Sequence, residues 1–347
     1  MVTGRRPLTL WGRVLTDGRE LPPSRVTVDG GRVIGVAPAA SPDADDLLVE
    51  AGWIAPGLID LQVNGAGGVD LTASTNLTAV ARTLATHGVT AFCPTVVSAP
   101  CTVVVERLAA YGPRAIQGGA TSLGAHIEGP FLDPGHRGVH DPAVLRQASR
   151  HEIWGGLDAG RPAIVTLAPE RPGALEAIEQ LRAAGVVVSL GHSGADADAA
   201  QAGLAAGGRM ATHLFNAMPP LHHRQPGLVG ALLASEAVLG LIADGVHVHP
   251  LMVDLVVRRA GGRRVALVSD CLAAAGAPPG ETLLGGQTVI SDGRVVRRAD
   301  GTLAGSAMLL DDCLKNVRAW LPDLSPAEVI AMATCTPADL LGLTRKG

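Results

Sequence analysis

The sequence predicts an α/β fold, a (β/α)8 barrel of the TIM type with a small accessory β-sandwich domain, and three observations carry that prediction. From Gly57 onward, eight short apolar runs alternate with segments of helical periodicity. Residues 8–54 have another rhythm, with apolar and polar residues alternating between turn signals. The unusual polar residues fall at the carboxyl ends of the apolar runs, where barrels of this type gather their chemistry.

In residues 8–54, the turn signals Asp29-Gly30-Gly31 and Ala37-Pro38 separate short antiparallel strands, giving a small domain at 1–54 and a barrel at 55–347. The eight runs are Leu58–Val63, Val89–Val97, Ser122–Ile127, Ala163–Leu167, Val186–Leu190, Met210–Leu214, Val238–Ala243 and Val265–Val268. Short and almost wholly apolar, they fit parallel strands buried on both faces. Helical spacing falls at 78–87, 173–184, 196–206 and 251–260. After the eighth run, an insertion rich in Gly and Pro leads to a hairpin near 280–300, turning at Ser291-Asp292-Gly293-Arg294. Helices near 309–319 and 326–333 finish the chain.

Composition narrows the function. With 347 residues and 47% hydrophobic content, the chain can bury a large core despite 2% aromatics. A net charge of -4, scattered along the sequence, marks neither a nucleic-acid nor a membrane surface, so an acidic metabolite must be met by local Arg or His. The five cysteines form no C-x-x-C pair and no even framework, which argues against structural zinc and a secreted disulfide scaffold and for a reducing cytoplasm. Met1–Pro7 lacks the apolar stretch of a signal peptide. The apolar segment Gly227–Ala243 is interrupted by Ser235-Glu236 and is expected to be core, not a membrane span.

Asp60 and Gln62 end the first run, Glu128 the third, His192 the fifth, His213 the sixth, Asp244 and His247 the seventh, and Asp270 the eighth. Taken singly, each has a plain structural explanation: a strand-end His is often a satisfied core residue, Glu128 could cap a turn, and Asp244-Gly245 could simply be one. Together on one face of a barrel they favour a site. Glu128, His192 and His213 supply three ligands for one divalent metal ion and leave a fourth position for water. Zinc suits that donor set, and iron, manganese and cobalt share it. Asp270 is the candidate general acid/base, with Thr212 and Ser193 as supporting or turn residues. Two basic loops follow the ligand strands, His136–His140 and His222–Gly227, and the fork of Arg224 suits a phosphate.

The segments Pro56–Gly65, His126–Leu132, Arg137–His140, Gly191–Ser193, Thr212–Met218, His222–Gly227, Ala243–His247, Val268–Asp270 and Leu303–Ser306 together resemble the N-acetylglucosamine-6-phosphate deacetylase family of the amidohydrolase superfamily. The resemblance implies a homodimer that removes acetate from an amino-sugar phosphate. It assigns the metal to Glu128, His192 and His213, acid/base work to Asp270, and polarisation of the amide carbonyl to His140. Arg224 and His247 would face the phosphate and hydroxyls, with part of the pocket coming from a second subunit. Asn216 and the backbone of Ala217 would line the sugar, Gln62 would orient water or a substrate group, and Gly129 and Leu303 would complete the substrate contacts.

Many superfamily members carry His-x-His on the first strand and hold two metals, whereas this chain has Asp60-Leu61-Gln62, and an amide is a poor ligand for a hard cation. One metal per chain is therefore expected. Cys271, directly after the proposed base, stands where the family has a smaller residue; it is either a buried hydrophobe or a thiol that makes the site oxidation-sensitive. The sequence ends at Leu343–Gly347, where the family continues with strands, so the small domain is expected to be incomplete at its C-terminal side with unpaired edges. Two other functions fit the same residues: a different amidohydrolase acting on another amide or a cyclic amide, and a non-catalytic sugar-phosphate sensor.

Overall fold

A computed structural model describes residues 6–149 and 157–343. Residues 1–5, 150–156 and 344–347 lie outside the description, and with them the expectations drawn from the two chain ends. The eight runs form eight parallel strands in sequence order: Leu58–Val63, Val89–Val97, His126–Glu128, Ile164–Leu167, Val187–Leu190, Gly208–Ala211, Val238–Leu241 and Val265–Leu267. Parallel neighbours need a crossover between them, and helices such as Leu77–Thr86, Ala174–Ala183, Ala197–Ala206 and Pro250–Ala260 supply it.

Alternation along the strands divides the apolar residues into two layers. Ile164, Val187, Met210 and Ala266 join Ile59, Leu61, Cys93 and Val268 in one packed cluster, and Ala338 and Leu340 of the C-terminal helix Cys335–Leu340 pack against it. The intervening Val165, Val188, Ala211 and Val265 belong to the larger cluster that receives the helices. This two-sided burial is why the strands read as unbroken apolar runs.

The barrel closes at a seam between its first and eighth strands. Toward the carboxyl ends, the Asp270 N–H donates to Gln62 O at 3.1 Å and the Asn64 N–H to Cys271 O at 2.9 Å. Lower down, the chain after helix Pro326–Ala331 enters the seam: Ile59 N–H donates to Ala333 O at 2.8 Å and Leu267 N–H to Met332 O at 2.9 Å. That helix starts from a reciprocal capping box of Ser325 and Glu328, which fixes where it enters.

The third and sixth runs depart most from the strands their hydrophobicity predicts. The third breaks at Gly124, with φ +109°, into Thr121–Ser122 and His126–Glu128. The sixth stops at Ala211, because Thr212 and His213 turn off the ladder and His213 takes a positive φ. In the span candidate 227–243, helix Gly227–Ala234 is followed by strand Val238–Leu241. No helix among the described residues is long and apolar enough to cross a membrane.

Strands Arg32–Pro38, Arg19–Asp29, Leu8–Thr16 and Leu47–Ile54 form the N-terminal sheet in that order. The first three are antiparallel as expected, but Leu47–Ile54 runs parallel to Leu8–Thr16. The link between 38 and 47 recrosses the sheet, held by Trp11 Nε1 on Ala39 O (2.8 Å) and by Arg25 on Asp46. Instead of a single hairpin near 280–300, four antiparallel strands appear: Gly280–Leu284, Gln287–Ser291, Val295–Arg297 and Leu303–Ser306. This second sheet grips the loop after the third barrel strand, Gln287 Nε2 donating to Val139 O at 3.1 Å.

Candidate metal centre and active site

The carboxyl end of the barrel brings Glu128, His192 and His213 to one point. Glu128 Oε1, His192 Nε2 and His213 Nε2 each lie 3.1 Å from the other two. A tetrahedral cation with bonds of ~2.0–2.1 Å would set its ligand atoms roughly 3.3 Å apart, so the triangle has the dimensions of three ligands and one open position. Both ring nitrogens also face the same carboxylate oxygen, so the three atoms converge on one small space.

The local backbone explains how the side chains converge. His192, His213 and Asp270 have φ of +50°, +28° and +49°, and Phe215 and Ala217 are also left-handed. For residues with a β-carbon such conformations cost on the order of 1–3 kcal/mol each and persist only where surrounding bonds impose them. At His192 those bonds are visible: its carbonyl accepts Asp133 N–H at 2.9 Å, and the next turn is held by Glu170, which accepts from Ser193 Oγ and Gly194 N at 2.7 Å each.

Hydrogen bonds behind the rings divide their roles. His192 Nδ1 lies 3.0 Å from His136 O, and because a carbonyl only accepts, Nδ1 carries the proton and Nε2 a lone pair. His140 is the reverse. Its Nδ1 accepts the Ser98 N–H at 3.1 Å, with Ser98 Oγ at 2.8 Å, so the neutral ring carries its proton on Nε2. Burial and then the nearby His192 push His140 down to about 3, keeping it neutral. Glu128, His140 and His192 also form a group with ligand atoms within 4.8 Å of one another. With its proton on Nε2, His140 is placed as a hydrogen-bond donor, while His213 presents Nε2 to Glu128 and His192 and leaves Nδ1 without a protein partner.

Burial would raise the Glu128 carboxyl, but the adjoining imidazoles of His192 and His213 hold it well below the usual range. Burial pushes Asp270 up to about 6, opposed by the charge of His213. Its Oδ1 accepts from Asn64 Nδ2 at 2.7 Å. Gln62 Nε2 donates to Glu128 Oε1 at 3.1 Å, while Gln62 Oε1, Asn64 Oδ1 and His213 Nδ1 are buried with no protein partner. Unpartnered buried polar atoms in one small space are what a missing ion, water or substrate group would satisfy.

Around this centre, Gly129 N–H donates to Thr166 O at 3.1 Å, and the peptide from Gly129 to Pro130 is cis. Asn216 folds over its own turn, Nδ2 donating to His213 O at 3.2 Å, and the carbonyl of Ala217 accepts Ser193 N–H. Leu303 begins the strand whose last residue, Ser306, donates its N–H to Asp270 O at 3.0 Å. His247 is paired with Asp244 on the loop after the seventh strand. Arg224 stands apart: it is exposed, with Nη1 2.8 Å from His223 Nε2.

Sequence reasoning passed over several residues that the structure brings in. Asn64 and Ser98 carry no role in the sequence reading, nor do His126, Thr166 and Ser189, which join Thr212, expected as a supporting residue, in a buried chain linked at 2.6–2.7 Å. A signal existed for two of them: His126 lies two positions before Glu128 on one strand, and Asn64 two after Gln62. Cys271 is fully buried, its thiol on Gly65 O at 3.2 Å and pushed up by burial, which favours the reading of a packed hydrophobe.

An eight-stranded barrel with a strand-end centre shaped for a divalent cation defines a class of hydrolases. The amidohydrolase family model matches residues 53–347. The chain belongs to that family and, within it, with the N-acetylglucosamine-6-phosphate deacetylases. It is 40% identical over 295 residues to the N-acetylglucosamine-6-phosphate deacetylase of Vibrio furnissii, covering 83% of this chain and 73% of that one. It is 39% identical over 301 residues to an N-acetylgalactosamine-6-phosphate deacetylase of Escherichia coli O157:H7, covering 85% and 79%. The crystal structure of the N-acetyl-D-glucosamine-6-phosphate deacetylase from Mycobacterium smegmatis superposes with a TM-score of 0.91 at 32% identity, covering 98% of this chain and 92% of that one.

Proposed function

We infer that this chain hydrolyses the N-acetyl group of N-acetylglucosamine-6-phosphate to glucosamine-6-phosphate and acetate. The observation that carries the reading is the 3.1 Å triangle of Glu128, His192 and His213 with a buried carboxylate, Asp270, beside it. The relatives named above support the substrate. Glu128, His192 and His213 would hold a divalent cation, which when bound would supply a Lewis acid and lower the pKa of a water beside Asp270. Asp270 takes the water proton and returns it to the leaving nitrogen, and Asn64 holds its Oδ1 in place. Through its Nε2 proton, His140 donates to the amide oxygen as charge develops there.

Gln62 orients water or the acetamide, while Gly129, Asn216, Ala217 and Leu303 line the sugar. His247 and Arg224 address its hydroxyls and phosphate. The exposure of Arg224 suits a pocket completed by a second copy of the chain in a homodimer. One metal per chain is supported by the engagement of Gln62 with Glu128, and zinc by the two imidazoles and one carboxylate. The cysteines are free in the structure, in keeping with a reducing cytoplasm.

Acetate release from N-acetylglucosamine-6-phosphate, measured with zinc, iron, manganese or cobalt supplied in turn, tests the reading; no turnover with any of them overturns it. A second substrate is favoured by the Escherichia coli relative: the galacto epimer, differing only at C4. The ratio of kcat/KM values for the two sugars decides between them. Equal rates with unphosphorylated sugars would favour a different amide, and product binding without hydrolysis would favour a sensor.

A further inference from the structure

We propose that Asp244 is a positioning residue that fixes the proton of His247 on Nδ1, so that the ring meets substrate only through Nε2. Asp244 follows the seventh barrel strand, and both side chains are buried, at 1% and 6% exposure. Its two oxygens do different jobs. Oδ1 accepts the backbone N–H groups of Val246 and His247 at 2.8 Å each, which closes the turn. Closing the turn needs nothing more. Oδ2 is left over and lies 2.6 Å from His247 Nδ1.

The turn makes this pairing compulsory. Gly245, with φ +75°, lets the chain reverse, and a β-carbon there would come within 3.2 Å of Trp320. From behind, Asn316 of helix Leu310–Trp320 donates to Ala243 O at 2.9 Å and pins the strand end. Burial raises the Asp244 carboxyl, but the hydrogen bond and charge of His247 bring it below the usual range, so it stays an ionised acceptor. A carboxylate only accepts, so Nδ1 must donate. His247 lies on the loop that follows the seventh strand, at the carboxyl end of the barrel that also carries Asp270.

Asp244→Asn tests this cleanly. The amide oxygen can still accept both backbone N–H groups, so the turn survives, but the amide NH2 then faces Nδ1 and the neutral ring must move its proton to Nε2. In zinc-loaded full-length protein labelled with 15N-histidine, His247 is assigned by the peaks lost in His247→Gln. Its Nδ1 is expected to be protonated in the native protein and its Nε2 in Asp244→Asn. Persistence of the Nδ1 proton in the variant overturns the proposal.

The kinetic arm rests on the amino-sugar-phosphate reading. Asp244→Asn should lose on the order of 10–100-fold in kcat/KM. The double variant Asp244→Asn/His247→Gln should be no slower than His247→Gln alone; multiplied losses would mean Asp244 acts independently of the ring. The NMR arm needs no substrate, so failure of the activity itself leaves it standing. Should Asp244→Asn not fold, Asp244→Ser keeps an acceptor for the turn and removes the partner of Nδ1; a tautomer unchanged in it also overturns the proposal.

Discussion

Asn64 Nδ2 donates to Asp270 Oδ1 at 2.7 Å across the seam where the first and last barrel strands meet. Two residues 206 positions apart thus share one hydrogen bond at the point where the barrel closes. Asp270 accepts a proton only when ionised, so activity is lost as pH falls through its pKa, which lies about 6 and lower once a cation adds its charge. Asn64→Ala removes a bond that favours the ionised form. The acid limb of kcat/KM should therefore move to higher pH, and kcat should fall about 10-fold or more. A limb that stays in place or moves down would refute this positioning.

Glu128→Gln keeps the volume of the side chain and removes its charge. We expect the metal to be lost and turnover to drop by about 10³-fold or more. Elemental analysis of the native chain should give about one metal per chain; two tightly held ions would contradict the role given to Gln62.

His140→Gln separates donor from ligand. If His140 only donates through Nε2, the variant keeps its metal and loses about 10²–10³-fold in kcat. Loss of metal in this variant would make it a ligand, as its 4.8 Å grouping with Glu128 and His192 would permit.

Asp60 lies buried at the seam, with Oδ1 on the backbone N–H groups of Gln62 and Ser269 and with Oδ2 unpartnered. Burial pushes it up to about 7 from 3.8. A folded-state pKa above the unfolded one contributes stability below about pH 4 that is lost as pH rises toward 7. At ~1.4 kcal/mol per unit the loss is of order 4 kcal/mol. The stability of Asp60→Asn relative to the native chain, measured by urea denaturation, should therefore improve between pH 4 and pH 8. A difference independent of pH would mean that Asp60 does not change charge.

The eight strands were legible because each is buried on both faces, and doubly buried backbone requires apolar runs such as Val187–Leu190. The partners of Leu47–Ile54 were not, since its pattern is the same whether it lies parallel or antiparallel to Leu8–Thr16. The strand-end residues Glu128, His192, His213 and Asp270 stood out as polar interruptions of apolar sequence. Asn64 and Ser98 did not, because residues of their type are common in any loop and acquire meaning only from Asp270 and His140 opposite them.

By itself, then, the sequence determined the barrel and the chemical types at its carboxyl end, because periodicity and burial are local properties of the chain. The tertiary structure decided which nitrogen of each ring is free. His192 offers a lone pair because His136 O lies behind it, and His140 offers a proton because the Ser98 N–H does. Those partners come from distant or neighbouring loops, and only folding sets the distances at which a hydrogen bond selects one tautomer over the other.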